Sequence, residues 1–382
     1  MHDDRHRRDD RCTHEVGMKR EIGDRMFFVV VLSVALAGFA IFSSATLGLL
    51  ARESNSVSKD ILLQAGLGLG LGFLALFVAR SVPLLFIRKV APYVYAGTLI
   101  LTALVFVPGI GLHANGATRW IDVRFITFQP AEFLKIGFVL MLAWWLAPRS
   151  RALASPKAGI LPFLAILGIP SALLLAQPNT STTLLLILTG TAMFFVAGAP
   201  LRNFGILVLV GCIALASVAA LRPYVLERIE TYFHPTANSL SSGYQIQQSL
   251  IAIGSGGVLG RGFGQSVEKF NYLPEPGGDS VFAVFAEETG FVGALILLAL
   301  FLALAARGIV IAGDSRELFG GLMAFGFSFL IIVQTFINIC AMLGIIPLTG
   351  LPLPFVSHGG TALLATLIMC GLVLNVAAHR RA

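Results

Sequence analysis

An all-α polytopic membrane protein of about ten transmembrane helices is the fold class that this sequence predicts, on three observations. Of its 382 residues, 56% are hydrophobic and only 12% are charged, with a mean hydropathy of +0.85. Soluble domains run at roughly 45–50% apolar and 25% charged. Apolar runs close to the ~20 residues that a helix needs to cross a bilayer recur along the whole chain. The basic residues behind the net charge of +7 stand in short segments between those runs, where they set topology; they form no single exposed basic face, which excludes nucleic acid as a partner.

In chain order, residues 1–25 (MHDDRHRRDDRCTHEVGMKREIGDR) mix both charges and read as a disordered tail whose His and Cys spacing matches no metal motif. The first apolar run follows that tail and is long enough to span, so it reads as a membrane helix and no cleavable signal is expected. Spans are expected at 26–48, 60–79, 90–108, 130–147, 158–176, 181–198, 203–221, 279–306, 318–346 and 351–378, making 26–378 a single membrane domain. With the N-terminus inside, the inner segments hold 18 Lys and Arg and the outer ones 8, while Lys135 falls within a span. The bias places 1–25 and 379–382 in the cytoplasm and 222–278, between helices 7 and 8, outside. Cys12 lies in the tail, and Cys212, Cys340 and Cys370 lie in apolar runs, which argues against a disulfide framework.

The long outer segment contains SGYQIQQSLIAIGSGGVLGRGFGQS, an amphipathic piece passing into glycines. Two readings stand: a re-entrant loop at the interface, or a nest in which Gly254, Gly256, Gly257, Gly260, Gly262 and Gly264 let backbone amides approach an anion. No strand precedes them, so a dinucleotide fingerprint is rejected.

The run that follows, YLPEPGGDSVFAVFAEETGFVG, sets Asp279, Glu287 and Glu288 at the head of an apolar span, and an acid in such a place is a functional candidate. On a helix, Ala283, Ala286, Gly290 and Gly293 lie within about 40° of Asp279, and Glu288 points to the opposite side. That stripe of small residues reads either as tight helix packing or as a face open to an amphiphile. Asp279 sits at the outer mouth, where water and a head group both reach it; Glu287, about 12 Å deeper, is expected to pair with a buried polar partner. In FQPAEFLK, Glu132 and Lys135 share a helical face near the outer surface, with Pro130 at a first helical position. Mutual neutralisation is the simpler reading of that pair. Together, Arg119, Lys135, Arg261 and Lys269 offer cations to a phosphate at the outer leaflet.

The stretch from YQIQQSLIAIGSGG to FAEETGFVG resembles the large external loop and following helix of the SEDS family, the RodA and FtsW peptidoglycan polymerases. The C-terminal NICAMLGIIPLTGLPLPFVSHGGTALL is similar to that family's signature, and GATRWI, FQPAEFLK and QPNTSTTLL match further segments in order. The resemblance covers about 26–378, with QSVEKFNYLPEP and AGAPLR closer to FtsW, the division branch.

The resemblance implies a ten-helix SEDS-like fold in the bacterial cytoplasmic membrane that polymerises lipid II, an undecaprenyl pyrophosphate-linked precursor, into glycan strands at the outer face. It puts the essential acid at Asp279 and treats Glu132 and Lys135 as sensitive positions. Glu275, Glu287, Glu288, Gln177, Ser357, His358, Gly359 and Gly360 are expected to support the site. The implied partners are a class B penicillin-binding protein, since the sequence offers no soluble domain for cross-linking, and other division proteins. No cofactor is fixed; a divalent cation, Mg²⁺ or Mn²⁺, accompanying the pyrophosphate stays open. The chain departs from the family in three places. Pro-Glu-Pro-Gly-Gly-Asp at 274–279 stands for Pro-Glu-X-His-Thr-Asp, Asn179 for an Asp and His358 for a Tyr, which loosens any detailed assignment around Gln177 and Ser357. A lipid-precursor flippase, an elongation polymerase like RodA and a non-catalytic division scaffold are the alternatives. The scaffold leaves Asp279 without a purpose.

Overall fold

A computed structural model describes residues 24–50, 61–114, 117–123, 126–200, 202, 203, 205, 207, 211, 223–233 and 242–379. The tail 1–23 and most of the expected seventh span lie outside the described residues, so those expectations are neither met nor corrected. Eight helices within the described residues are long and apolar enough to cross a membrane. In chain order the helices are α1 Arg25–Leu50, α2 Ile61–Ser81, α3 Leu84–Ala103, α4 Pro130–Leu146, α5 Leu161–Ala176, the shorter α6 Thr180–Val196, α7 Pro223–Phe233, α8 Ser242–Ser255, α9 Glu268–Asn271, α10 Val281–Gly313, α11 Leu318–Met342 and α12 Gly360–Ala378. Helices α7 to α9 belong to the 222–278 segment.

Between α3 and α4 the chain forms an antiparallel sheet in the order β1 (Gly111–Ala114), β2 (Ala117–Val123), β3 (Ile126–Phe128). The sequence predicts no strand here, only a connection between two spans. The last span was also placed too early. Residues 351–359 are not helical and α12 begins at Gly360, because Pro352 and Pro354 lack the amide that a helix needs and clash with the preceding turn.

Helices α4, α11 and α12 are the most buried spans, whereas α2 and α3 turn most of their apolar surface outward. Lipid is as apolar as leucine, so close approach rather than water exclusion holds such helices together. At the α2–α12 crossing a Cβ on Gly72 would lie 2.5 Å from Leu367, and one on Gly371 2.5 Å from the Leu76 carbonyl. Asp24 caps α1 through the Phe27 amide (2.9 Å) and pairs with Arg307 of α10 at 2.7 Å. Asn375 donates to the carbonyls of Ala79 and Arg80. These contacts group the segments that the charge bias assigns to one side.

The longest helix is interrupted where it meets the glycine-rich loop. Gly290 has φ 67° and ψ −166° inside α10, a conformation natural only to glycine. The ladder bonds from Phe291 to Glu287 and from Val292 to Glu288 are replaced. Arg261 and Gly262 amides donate to the Glu287 and Glu288 carbonyls at 3.0 Å each, and the Phe291 and Val292 amides donate to Gly257 and Val258 at 2.9 and 3.1 Å. A broken membrane helix is tolerated where its freed backbone groups find other partners. Here the loop supplies them all.

Candidate active site

Asp279 lies two residues before α10, in the turn that Pro274 to Ser280 make at the mouth of that span, and Ser280 is the N-cap. Its Oδ1 accepts from Gln245 Nε2 of α8 at 3.1 Å, and its main-chain carbonyl accepts from Asn338 Nδ2 of α11 at 2.8 Å. A Cβ built on Gly350 would lie 3.7 Å from Asp279 Oδ2 and 3.9 Å from Arg228 Nη2, so the carboxylate and the α7 guanidinium both flank that glycine. Arg228 is held by donating Nη1 to the carbonyls of Leu348 and Thr349 at 3.1 and 3.3 Å. Burial pushes the Asp279 carboxyl up to about 6, and the Glu275 charge adds to the shift; the Gln245 hydrogen bond and Arg228 hold it back. A carboxylate so placed is ionised near neutral pH yet basic enough to accept a proton.

Glu275, with φ 48°, lines a cavity of about 320 Å³ together with Thr46, Lys269, Gly277, Gly278 and His358. The His358 amide donates to the Gly277 carbonyl at 2.6 Å and its ring stacks on Phe42. On its other side His358 borders a second cavity of about 250 Å³, which reaches Gln64, Trp120, Gly359 and Gly360. Ser357 Oγ accepts from the Leu353 amide at 2.7 Å, and Gln64 Nε2 donates to the Ser357 carbonyl at 3.4 Å. The His-Gly-Gly element is thereby fixed beside the turn that carries Asp279.

The other candidates are held in pairs of their own, Lys269 among them although it also lines the Glu275 cavity. Glu287 is fully buried: it accepts from Ser266 Oγ at 2.5 Å and from the Val267 amide at 3.1 Å, and lies 3.4 Å from Arg261. It has the buried polar partners expected of it. Lys269 gives its ammonium to Glu288 (2.7 Å), the Gly264 carbonyl (2.8 Å) and Ser44 Oγ (3.3 Å), which uses its three donors. This is a buried structural pair with no donor left for a phosphate. Lys135, 1% exposed, lies 2.7 Å from Glu132 and donates to Gln334 Oε1 at 2.9 Å. Arg119 donates to the carbonyls of Gln177 (3.2 Å) and Pro178, while Gln177 Nε2 donates to Thr102 at 2.7 Å. The four cations offered to a phosphate are therefore not gathered in one place.

Two further outcomes bear on the loop. Amides in the glycine-rich stretch are spent on helix carbonyls, which favours the interfacial loop over the anion nest. Ala286 and Gly290 of the small-residue stripe line an apolar cavity of about 390 Å³ with Ile253 and Leu298, although the break at Gly290 takes Gly293 out of that phase. Arg228, Gln245, Gln334 and Asn338 escaped the sequence analysis. Among the described residues no three His, Cys, Asp or Glu side chains converge as a metal site.

Residues 24–382 match the cell cycle protein family of FtsW, RodA and SpoVE. The chain belongs to that family. It is 38% identical over 312 residues to stage V sporulation protein E of Bacillus subtilis, covering 82% of this chain and 85% of that protein. It is 37% identical over 369 residues to the probable peptidoglycan glycosyltransferase FtsW of Alcanivorax borkumensis, covering 93% of each. Among solved structures, it superposes on a chain of a peptidoglycan synthase complex that coordinates polymerization and crosslinking, with TM-score 0.75, 30% identity and coverage of 93% of this chain and 97% of that one. The rod shape determining protein RodA of Thermus thermophilus gives TM-score 0.65 at 30% identity, covering 94% and 98%. The FtsW/RodA/SpoVE membership agrees with the multi-pass helical architecture.

Proposed function

We propose that the chain is a peptidoglycan glycosyltransferase that polymerises lipid II into glycan strands at the outer face of the bacterial cytoplasmic membrane, in cell division, with both termini cytoplasmic. The observation that carries this reading is the carboxylate of Asp279, raised to about 6 by burial and by the neighbouring Glu275 charge, with the Arg228 guanidinium on the far side of Gly350. In each cycle Asp279 takes the proton of the acceptor sugar hydroxyl as that oxygen bonds to the anomeric carbon of the lipid-linked donor. The bond from that carbon to the pyrophosphate oxygen breaks, and the pyrophosphate leaves with the electron pair. It needs no protonation to depart, so a cation suffices on that side, and Arg228 is the one that the fold brings to Asp279. The cavity bordered by Glu275, Gly278 and His358 gives the head groups room beside the acid. Cross-linking of the product falls to a partner, a class B penicillin-binding protein; the likeness to a synthase complex that couples the two activities supports this.

Purified full-length protein supplied with lipid II, with and without its transpeptidase partner, is expected to yield glycan strands on a gel. Failure in both arms would sink the reading. Lipid II translocation in a polymerisation-independent assay, with no strands, would favour the flippase instead.

A further inference from the structure

The two charged groups that stand out in the sequence, Glu132 with Lys135 and Asp279, lie on different elements, and one face of α11 joins them. Lys135 Nζ donates to Gln334 Oε1 at 2.9 Å, and Gln334 Nε2 donates onward to the Pro352 carbonyl at 2.8 Å. One turn along, Asn338 Nδ2 donates to both the Leu351 carbonyl and the Asp279 carbonyl at 2.8 Å. Gln334 and Asn338 are four residues apart and so share a face. The amide orientations are forced. Turning Gln334 over would set its NH₂ against an ammonium and its oxygen against a carbonyl, and turning Asn338 over would set its oxygen against two carbonyls. Asn338 Oδ1 is buried with no partner, so the side chain gives up one hydrogen bond to keep the other two.

The segment clamped in this way has little means of holding itself. Residues 347–353 form no helix or strand, and Pro347 and Pro352 contribute no amide. Buried carbonyls there need donors from elsewhere. They come from three helices: Arg228 on Leu348 and Thr349, Ser181 on Thr349, and Asn338 and Gln334 on Leu351 and Pro352. In the middle stands Gly350, the residue that Arg228 and Asp279 both flank.

We infer that Lys135, Gln334 and Asn338 are positioning residues. They form a buried strut, braced by Glu132, that sets segment 348–352 and its Arg228 contact against Asp279. Lys135 thus acts on the reaction through Gln334 and touches no phosphate. This rests on Asp279 being the base.

A double-mutant cycle on the full-length protein polymerising lipid II tests it. Lys135→Met and Gln334→Met are each expected to lower kcat on the order of 10²-fold, the scale of a misplaced reacting group, with KM unchanged. The double variant loses no more than the worse single one, because both cut the same strut. Multiplied losses, or a KM raised by Lys135→Met, overturn the inference. Should Lys135→Met fail to fold, Gln334→Glu decides: it keeps a partner for Lys135 and removes the donor to Pro352, so its kcat should fall likewise, and a parental rate overturns the strut. Asp279→Asn run in parallel separates the two levels. If it retains the parental rate, the base assignment itself is wrong; if it is inactive while the cycle multiplies, only the strut is lost.

Discussion

Asp279 and the Glu287–Glu288 pair stand within ten residues of one another, yet their surroundings differ in kind. Each glutamate is closed off by an opposite charge and by hydroxyl or amide donors, down to the Lys269 ammonium with all its donors used. Asp279 follows directly on Gly277 and Gly278, which line a cavity, and has one side-chain amide on its carboxylate and an arginine across a glycine. A saturated carboxylate builds a protein. One with no ion pair closing it off and a raised proton affinity can do chemistry.

The largest effect that bears on this contrast is expected from Asp279→Asn, with glycan synthesis falling 10²–10⁴-fold as for other general bases. The parent rate should decline below about pH 6 as the carboxyl takes up its proton. In Arg228→Gln that limb moves to higher pH, since Arg228 lowers the Asp279 pKa. Stability runs the other way. The folded carboxyl binds its proton more tightly than a free aspartate at 3.8, so its stabilising share is complete below that value and lost as pH rises through about 6. Asp279→Asn should then melt no lower than the parent at pH 7.5, with any advantage gone near pH 3.5. A variant that is both inactive and much less stable at pH 7.5 would break the contrast.

Lys269→Met is expected to act in the opposite sense, costing about 3–5 kcal/mol because Glu288 is left charged and buried. Adding Glu288→Leu should restore most of the melting temperature. If Lys269→Met instead melts like the parent and binds lipid II weakly, Lys269 belongs with Asp279 and the division between the two regions is wrong. Gly290→Ala adds about 1–3 kcal/mol of strain at a positive φ to the clash of a Cβ 2.3 Å from the Gly260 amide nitrogen. Amide hydrogen exchange should then rise at Arg261 and Gly262; unchanged protection there would count against the shared bonding of loop and helix.

Much of this was legible in the residues because the bilayer imposes a length and a composition on every helix. Runs such as 130–147 and 318–346 fall within a few residues of α4 and α11 for that reason. The start of α12 was misplaced because hydropathy alone does not register that Pro352 and Pro354 lack amides. The sheet was overlooked although Asn115-Gly116, a strong hairpin dipeptide, lies between alternating residues of β1 and β2. In the site, an acid at the mouth of a span announced Asp279 by its cost. Nothing comparable singled out Arg228, or Gln245 and Asn338 within the family-like segments that contain them, since all three are ordinary polar residues far from Asp279 in sequence. Their importance comes from which elements meet, and spacing along the chain does not encode that.

The exchange of hydrogen bonds at Gly290 also bears on biogenesis. During synthesis residues 256–262 emerge before 287–292 do, so the loop leaves the ribosome without the backbone groups that complete it. Its fold has to await insertion of α10, and that helix in turn closes its own gap only on a loop already in place beside it. Neither half matures alone, and the site at Asp279, which lies between them in the chain, is assembled only once both are in place.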